Sequence, residues 1–342
     1  DLYKIYWEDT KMEFSATAGT AGGSLKALFE VRDGDNLENF KGKVTKADSY
    51  SLTVENISID NIKSLNLPDK DGKITVNNIS YSYDSWEAQV DAQGNIKSVT
   101  FNLSKDKAIA DPEKTVAEGY LLNAGSAINA RGIPYYMTQL NEFVRNFSEM
   151  FNQIESKGQN LNGDTPPTFF EAITNTAKVY DFSESEAYSK LPDGQTATIN
   201  SSSNTYYRMT AANFSVNKDV MNDVSLFATS TDYVKTDSCD IVDELKKLQS
   251  EKTVYRGDKA ESFLETIISN VSVETEKAET YNKLYSNLEQ TIANQRTSVS
   301  GVDEDEEALN LVKFQYSYNM ASKIISVMNQ MLDKLINDTG VA

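Results

Sequence analysis

The sequence predicts an α+β protein, with long coiled-coil-like helices as its body and antiparallel β domains inserted between them. Three observations carry this. In the last stretch, Leu311, Phe314, Tyr318, Ala321, Ile325, Met328, Leu332 and Leu335 follow one another at alternating steps of three and four, which keeps side chains on one stripe of a helix. Residues 133–154 repeat that spacing through Tyr136, Leu140, Phe143, Phe147, Met150 and Ile154. Residues 44–104 instead alternate apolar and polar side chains with turn residues between them, the pattern of half-buried strands.

Taken in order, residues 1–40 open with Leu2 to Trp7 alternating weakly like a strand, and Met12 to Thr20 are small and polar. Gly22-Gly23-Ser24 then leads into a short predicted helix with Ser24 as N-cap, Leu25, Leu28 and Phe29 at helical spacing, and a stop near Gly34. Residues 41–132 are assigned to an inserted β domain. Its strands run through Tyr50–Val54, Ile57 and Ile59, Ile74–Val76, Tyr81, Tyr83, Gln89-Val90 and Val99–Phe101, and residues 105–132 form a polar connection. Asp69-Lys70-Asp71-Gly72 has half the look of a calcium loop, but without the further oxygen ligands and terminal Glu it reads as a hairpin turn.

Residues 133–165 give a helix with Pro134 in its first turn, closed by Gly158, then a Gly/Asn/Pro loop. Residues 166–238 read as a second small mixed or β domain, with strands at Thr196–Ile199 and Tyr206–Met209. Residues 239–300 return to helix: Ile241, Leu245 and Leu248, a break at Gly257, then Phe263, Leu264, Ile267 and Ile268, and Tyr281, Tyr285, Leu288 and Ile292 at coiled-coil spacing. A short link joins this to 301–342, the C-terminal core helix, so the two helices pack antiparallel or form a broken rod. Acidic residues Asp303 to Glu307 open the last helix, where its dipole favours negative charge, and Gly340 ends the pattern. Val312, Ile324, Val327, Met331 and Ile336 widen its stripe beyond what one partner helix covers. At roughly 1.5–3 kcal/mol per buried large side chain, the seam needs a partner surface to contribute anything.

Composition narrows function. With 33 basic against 51 acidic residues the net charge is −18, which argues against nucleic acid or anionic membrane as partner. The chain has no histidine, removing the usual general base and metal ligand, so catalysis would fall to carboxylates or lysines. Cys239 is the sole cysteine and reads as a small buried hydrophobe. No apolar run approaches a membrane span, and residues 1–10 hold no signal-peptide pattern. Paired acids such as Glu142 with Glu149, or Asp303 with Glu307, read as solvated helix faces. No catalytic, cofactor-binding or metal set is assigned.

Four segments resemble the flagellar hook-associated protein 1 family: GGSLKALFEVRDG (22–34), GIPYYMTQLNEFVRNFSEMFN (132–152) with the loop GQNLNGDTPPTFF after it, MTAANFSVNKDVMNDVSLFATS (209–230), and residues 295–337. The last resembles the carboxyl-terminal signature shared by flagellar rod, hook and hook-associated proteins. The family's N-terminal helix has no counterpart here, so the chain reads as a fragment, and residues 36–131 read as an added outer decoration. The resemblance implies a structural, non-enzymatic subunit of the bacterial flagellum at the hook–filament junction. Its partners would be the hook protein, the second hook-associated junction protein, further copies of itself in a ring, and a cytoplasmic export chaperone on the C-terminal helix. It implies secretion through the flagellar export apparatus without a signal peptide. Leu311 through Leu335 would be the axial-core seam, with the Tyr136–Ile154 and Tyr281–Ile292 stripes packing the helical body. A carboxylate-dependent glycan hydrolase, or a surface adhesin module on the β domain, are the alternatives from other classes.

Overall fold

The structure, a computed structural model, describes residues 22–337 except 70, 105–108, 110–115, 117, 126, 235–237 and 252, together with Tyr6, Glu8, Asp9 and Lys11. The strand expected at Leu2–Trp7, Tyr6 apart, the polar stretch Met12–Thr20 and the stop at Gly340 lie outside the described residues. The chain divides into two units, residues 1–267 and 268–342. The fold is α+β.

In the first unit, strands β1 (Phe40–Asp48), β2 (Ser51–Glu55), β3 (Gly72–Val76), β4 (Ile79–Val90), β5 (Ile96–Leu103) and β6 (Leu121–Ala124) pair antiparallel in the order β3-β6-β1-β2-β5-β4. Because β3 also pairs with the first half of β4, the ring closes into a barrel and these strands leave no long open edge. Closure depends on the length of β4. Its Ile79–Tyr83 half serves β3 and its Tyr83–Val90 half serves β5. Inward alternation packs Leu52, Val54, Ile74, Tyr83, Trp86, Phe101 and Leu122 into a fully sealed core. Gly72 is obligatory there, since a Cβ would run into the Tyr83 ring. Asp91 makes the β4–β5 turn by accepting from the Gln93 and Asn95 amides.

Four local expectations are corrected. β6 lies inside the stretch read as a polar connection; at four residues it is too short to show alternation, yet Leu122 is wholly buried. Tyr206–Arg208 is a 3-10 turn rather than a strand, which lets neighbouring tyrosines enter different cores: Tyr207 meets Trp86 edge-on at 5.0 Å and Tyr206 stacks on Phe182 at 4.3 Å. Ser24 does not cap the first helix, α1 (Gly23–Asp33); Gly22 holds the cap position with no side-chain bond, and Ser24 falls within the first turn. Cys239 is exposed, standing just before the helix that begins at Asp240.

The long helix α2 (Ile133–Glu155) packs against the 3-10 turn Ile62–Ser64 between β2 and β3, and α1 packs against α2. There Gly34 and Gly132 approach so closely that a Cβ on either would overlap the Glu30 carbonyl oxygen. After α2 come β7 (Phe170–Ala172), α3 (Ser183–Ser189), β8 (Ala197–Asn200), β9 (Phe214–Val216) and α4 (Lys218–Asn222). Residues 166–238 do not stand apart. β8 adds to β4 as the seventh strand of the barrel sheet, whereas β7 and β9 form a ribbon over a small core of Ala172, Tyr206 and Met209. Helix α5 (Asp240–Ser250) and a hairpin, β10 (Thr253–Tyr255) and β11 (Asp258–Lys259), follow, with Gly257 at positive φ in the turn.

The second unit comprises the residues of α6 (Ala260–Ser300) from 268 onward and α7 (Glu304–Asn337). The two helices do not pack against one another along their stripes, so the antiparallel pair is not seen among the described residues. Gly301 ends α6 with its amide on the Thr297 carbonyl, and the Asp303 carboxylate caps α7 by accepting from the Asp305 and Glu306 amides.

Candidate functional site: two unlike helix faces

The eight seam residues of α7 share one stripe, and all are exposed; Phe314 is 74% and Tyr318 73% accessible. Tyr281, Tyr285, Leu288 and Ile292 on α6 are exposed as well. Val312, Ile324, Val327, Met331 and Ile336 broaden the α7 stripe and are equally uncovered. Monomeric proteins seldom expose so much contiguous apolar surface, and where they do it marks an interaction face.

Helix α2 presents the opposite case. Tyr136, Leu140, Phe143, Phe147 and Met150 are only half-buried, and of that stripe Ile154 alone is fully enclosed. Phe143, Phe147, Met150 and Phe151 pack against Ile241, Leu245, Leu248 and Ala260, and Phe263 stacks on Phe143 at 5.5 Å. The more deeply buried face is polar: Gln139, Glu142, Arg145, Ser148, Glu149, Asn152 and Glu155. This corrects the reading of Glu142 and Glu149 as solvated. Glu149 pairs with Lys63 of the barrel, and Glu142 receives Arg256 at 3.4 Å, which also contacts Glu38 at 3.2 Å. An i, i+3, i+4 stripe of polar residues looks solvent-facing in sequence; here its partners come from distant segments, which single-helix spacing does not reveal.

Arg145 is the centre of this face. Its Nε donates to the Met209 carbonyl at 2.8 Å, and Nη1 donates to the Lys63 and Leu65 carbonyls at 2.8 and 2.7 Å. The guanidinium also lies 4.5 Å from the centroid of the Tyr207 ring, whose hydroxyl donates to the Leu67 carbonyl. Burial draws the guanidinium down to about 10, with Tyr207, Glu142 and Asp69 opposing, so it stays charged at neutral pH. One side chain thus ties α2 to the barrel loop 63–67 and to the Tyr206–Met209 turn. Asn152 plays a similar part toward β7, donating to the Phe170 carbonyl and accepting from the Phe170 amide, both at 2.9 Å. None of these roles was legible in the sequence, although an arginine within an apolar aromatic helix was a signal that could have been followed.

The contacts of Arg145 and Asn152 pack and tether α2. Among the described residues no group of three or more His, Cys, Asp or Glu side chains is placed to hold a metal ion, and no helix is long and apolar enough to cross a membrane.

Residues 293–338, the end of α6 and all of α7, match the family described as flagellar basal body rod FlgEFG protein C-terminal. The exposed stripe therefore lies within a segment similar to the C-terminal part of the flagellar rod-protein class. More particularly, the chain is similar to flagellar hook-associated protein 1 of Bacillus subtilis (strain 168), 21% identical over 97% of this chain and 56% of that protein. It is also similar to flagellar hook-associated protein 1 of Escherichia coli (strain K12), 32% identical over 27% of this chain and 17% of that one. The chain spans just over half the length of the Bacillus relative. The resemblance to the hook-associated protein 1 family holds in these comparisons, and they support a structural role in the flagellum.

Proposed function

We propose that this chain serves in an adaptor joining the flagellar hook to the filament through the second hook-associated junction protein, by helix packing rather than chemistry. The observation that carries the proposal is the fully exposed apolar stripe from Leu311 to Leu335, lying within the segment similar to rod proteins. Buried against neighbouring helices, residues of this size contribute roughly 1.5–3 kcal/mol each, ample to hold an assembly. The neighbours are other copies in a ring, the hook protein and the next junction protein. Before assembly the same sticky helix is held by a cytoplasmic chaperone and exported through the flagellar secretion apparatus. The Tyr281–Ile292 stripe joins the packing, the Tyr136–Ile154 stripe packs the helical body, and the barrel is carried outward as a decoration.

The test is complementation of motility in a strain lacking its hook-associated protein 1, using the full-length parent with Phe314, Ile325 and Leu332 changed to serine. Loss of swimming with filament protein shed into the medium is the expected result. Normal swimming with attached filaments would overturn the seam as the assembly surface.

A further inference from the structure

An open cleft of about 370 Å³ lies where the middle of α2 meets the barrel loop 66–69 and the stretch 207–213, with Tyr180 and Ser201 completing its wall. Its lining carries two arginines, Arg145 and Arg208, against one acid, Asp69, a net of one positive charge. That sign is unusual in a chain of net charge −18. The cleft beside β7, lined by Glu149, Glu171 and Asp181 with no base, has the opposite sign.

Arg145 is only partly spent on its tether. It is 2% exposed, and its Nε and Nη1 make the three bonds to main-chain carbonyls. Nη2 donates to no protein atom among the described residues, yet it is not sealed from solvent, so its two N–H groups open into the cleft. Arg208 lies 4.1 Å from the centroid of the Tyr180 ring and donates from Nη1 to the Ser202 carbonyl at 3.1 Å, leaving Nε and Nη2 without an acceptor among the described residues. Asp69 makes no ion pair or hydrogen bond among them either. Partial burial raises its carboxyl while Arg208 and Arg145 oppose that, so the three charges share one electrostatic neighbourhood with no ion pair between them. The asparagines around them are spent on the walls: Asn141 donates to Asn66 at 3.2 Å, and Asn213 to the Arg208 carbonyl at 2.9 Å.

A guanidinium already desolvated and held by three bonds, with one N–H pair free, is pre-organised to take an anion. A flat monoanion such as a carboxylate cancels the net charge of this lining, whereas a dianion leaves an excess.

We propose that this cleft binds a carboxylate, the acidic side chain of a partner peptide segment, with Arg145 Nη2 as its donor and Arg208 adding to the attraction that Asp69 restrains. The proposal does not depend on the assembly role of α7.

The test is NMR titration of the isotope-labelled full chain with acetyl-Gly-Glu-Gly-amide, its Gln counterpart, acetate and inorganic phosphate. Saturable binding of the Glu peptide is expected, with shifts centred on the Arg145 guanidinium and the Thr210 amide and with the Gln peptide at least about tenfold weaker. Asp69→Asn removes the opposing charge and should tighten the Glu peptide about threefold or more, a gain that no loss of folding can mimic. Arg208→Gln leaves the Arg145 tether in place and should weaken it about tenfold. No saturation, equal binding of the Glu and Gln peptides, or an Asp69→Asn variant that binds no more tightly overturns the proposal. So does acetate matching the Glu peptide, which would make the site one for free small acids, or phosphate binding more tightly than either, which would make it a phosphate site.

Discussion

The barrel and the C-terminal helices use similar apolar side chains to opposite ends. In the barrel, Phe101 is 0% exposed and meets Phe40 and Tyr83 at 5.4 and 5.1 Å, whereas Phe314 on α7 is 74% exposed and stacks on no ring among the described residues. Antiparallel closure lets the barrel satisfy its own backbone and bury its own side chains. A lone helix satisfies its backbone but cannot cover its stripe, so α7 is complete in hydrogen bonds and incomplete in packing. The same residue type is thus stability in one region and valence in the other.

Substitutions can break this contrast, and the expected effects fall in a clear order. Phe101→Ala opens the barrel core and should cost about 3–5 kcal/mol, read from denaturant unfolding of the barrel unit. Arg145→Met should cost about 3 kcal/mol or more, because it strands three main-chain carbonyls, and Arg145→Lys should recover little, since an ammonium cannot reproduce the planar fork. Glu155 gives a pH signature of at most about 3 kcal/mol. Burial pushes its carboxyl from 4.5 up to about 7, the Ala228 amide opposing, and neither oxygen meets a donor in hydrogen-bonding geometry. The folded form therefore binds the proton more tightly than the unfolded one. Its contribution is full below pH 4.5 and is lost as pH rises through about 7. Unfolding of Glu155→Gln at pH 5 and pH 8 should show that dependence flattened. Asp303→Ala removes the α7 cap and should destabilise the start of that helix by about 1 kcal/mol, visible by circular dichroism as a loss of helicity. Smallest of all, Phe314→Ser should change the stability of the isolated chain by under about 0.5 kcal/mol; a large loss would mean that the stripe is already covered.

How much of this was legible follows from range. The α7 stripe and the interruption between α6 and α7 were readable because heptad spacing and a Ser/Gly turn are local signals. The strands from Leu52 to Phe101 announced themselves by alternation, but barrel closure did not, because it rests on β4 bending to pair on two sides and on the short β6. The polar face of α2 was misread for the same reason: the partners of Glu142, Arg145 and Glu149 are Arg256, the Met209 carbonyl and Lys63, far off in sequence. Glu155 gave no sign either, since one acid in an acidic chain is indistinguishable from the rest until its burial is known.

The Arg145 tether also bears on how the sequence is free to drift. Its anchors are the carbonyl oxygens of Lys63, Leu65 and Met209, not their side chains. Every residue has that oxygen, so these positions can be replaced without releasing the joint, provided the loop keeps its path. Lineages that share this architecture could therefore diverge widely around a single retained arginine, and the geometry between helix and barrel would be inherited longer than the letters that build it.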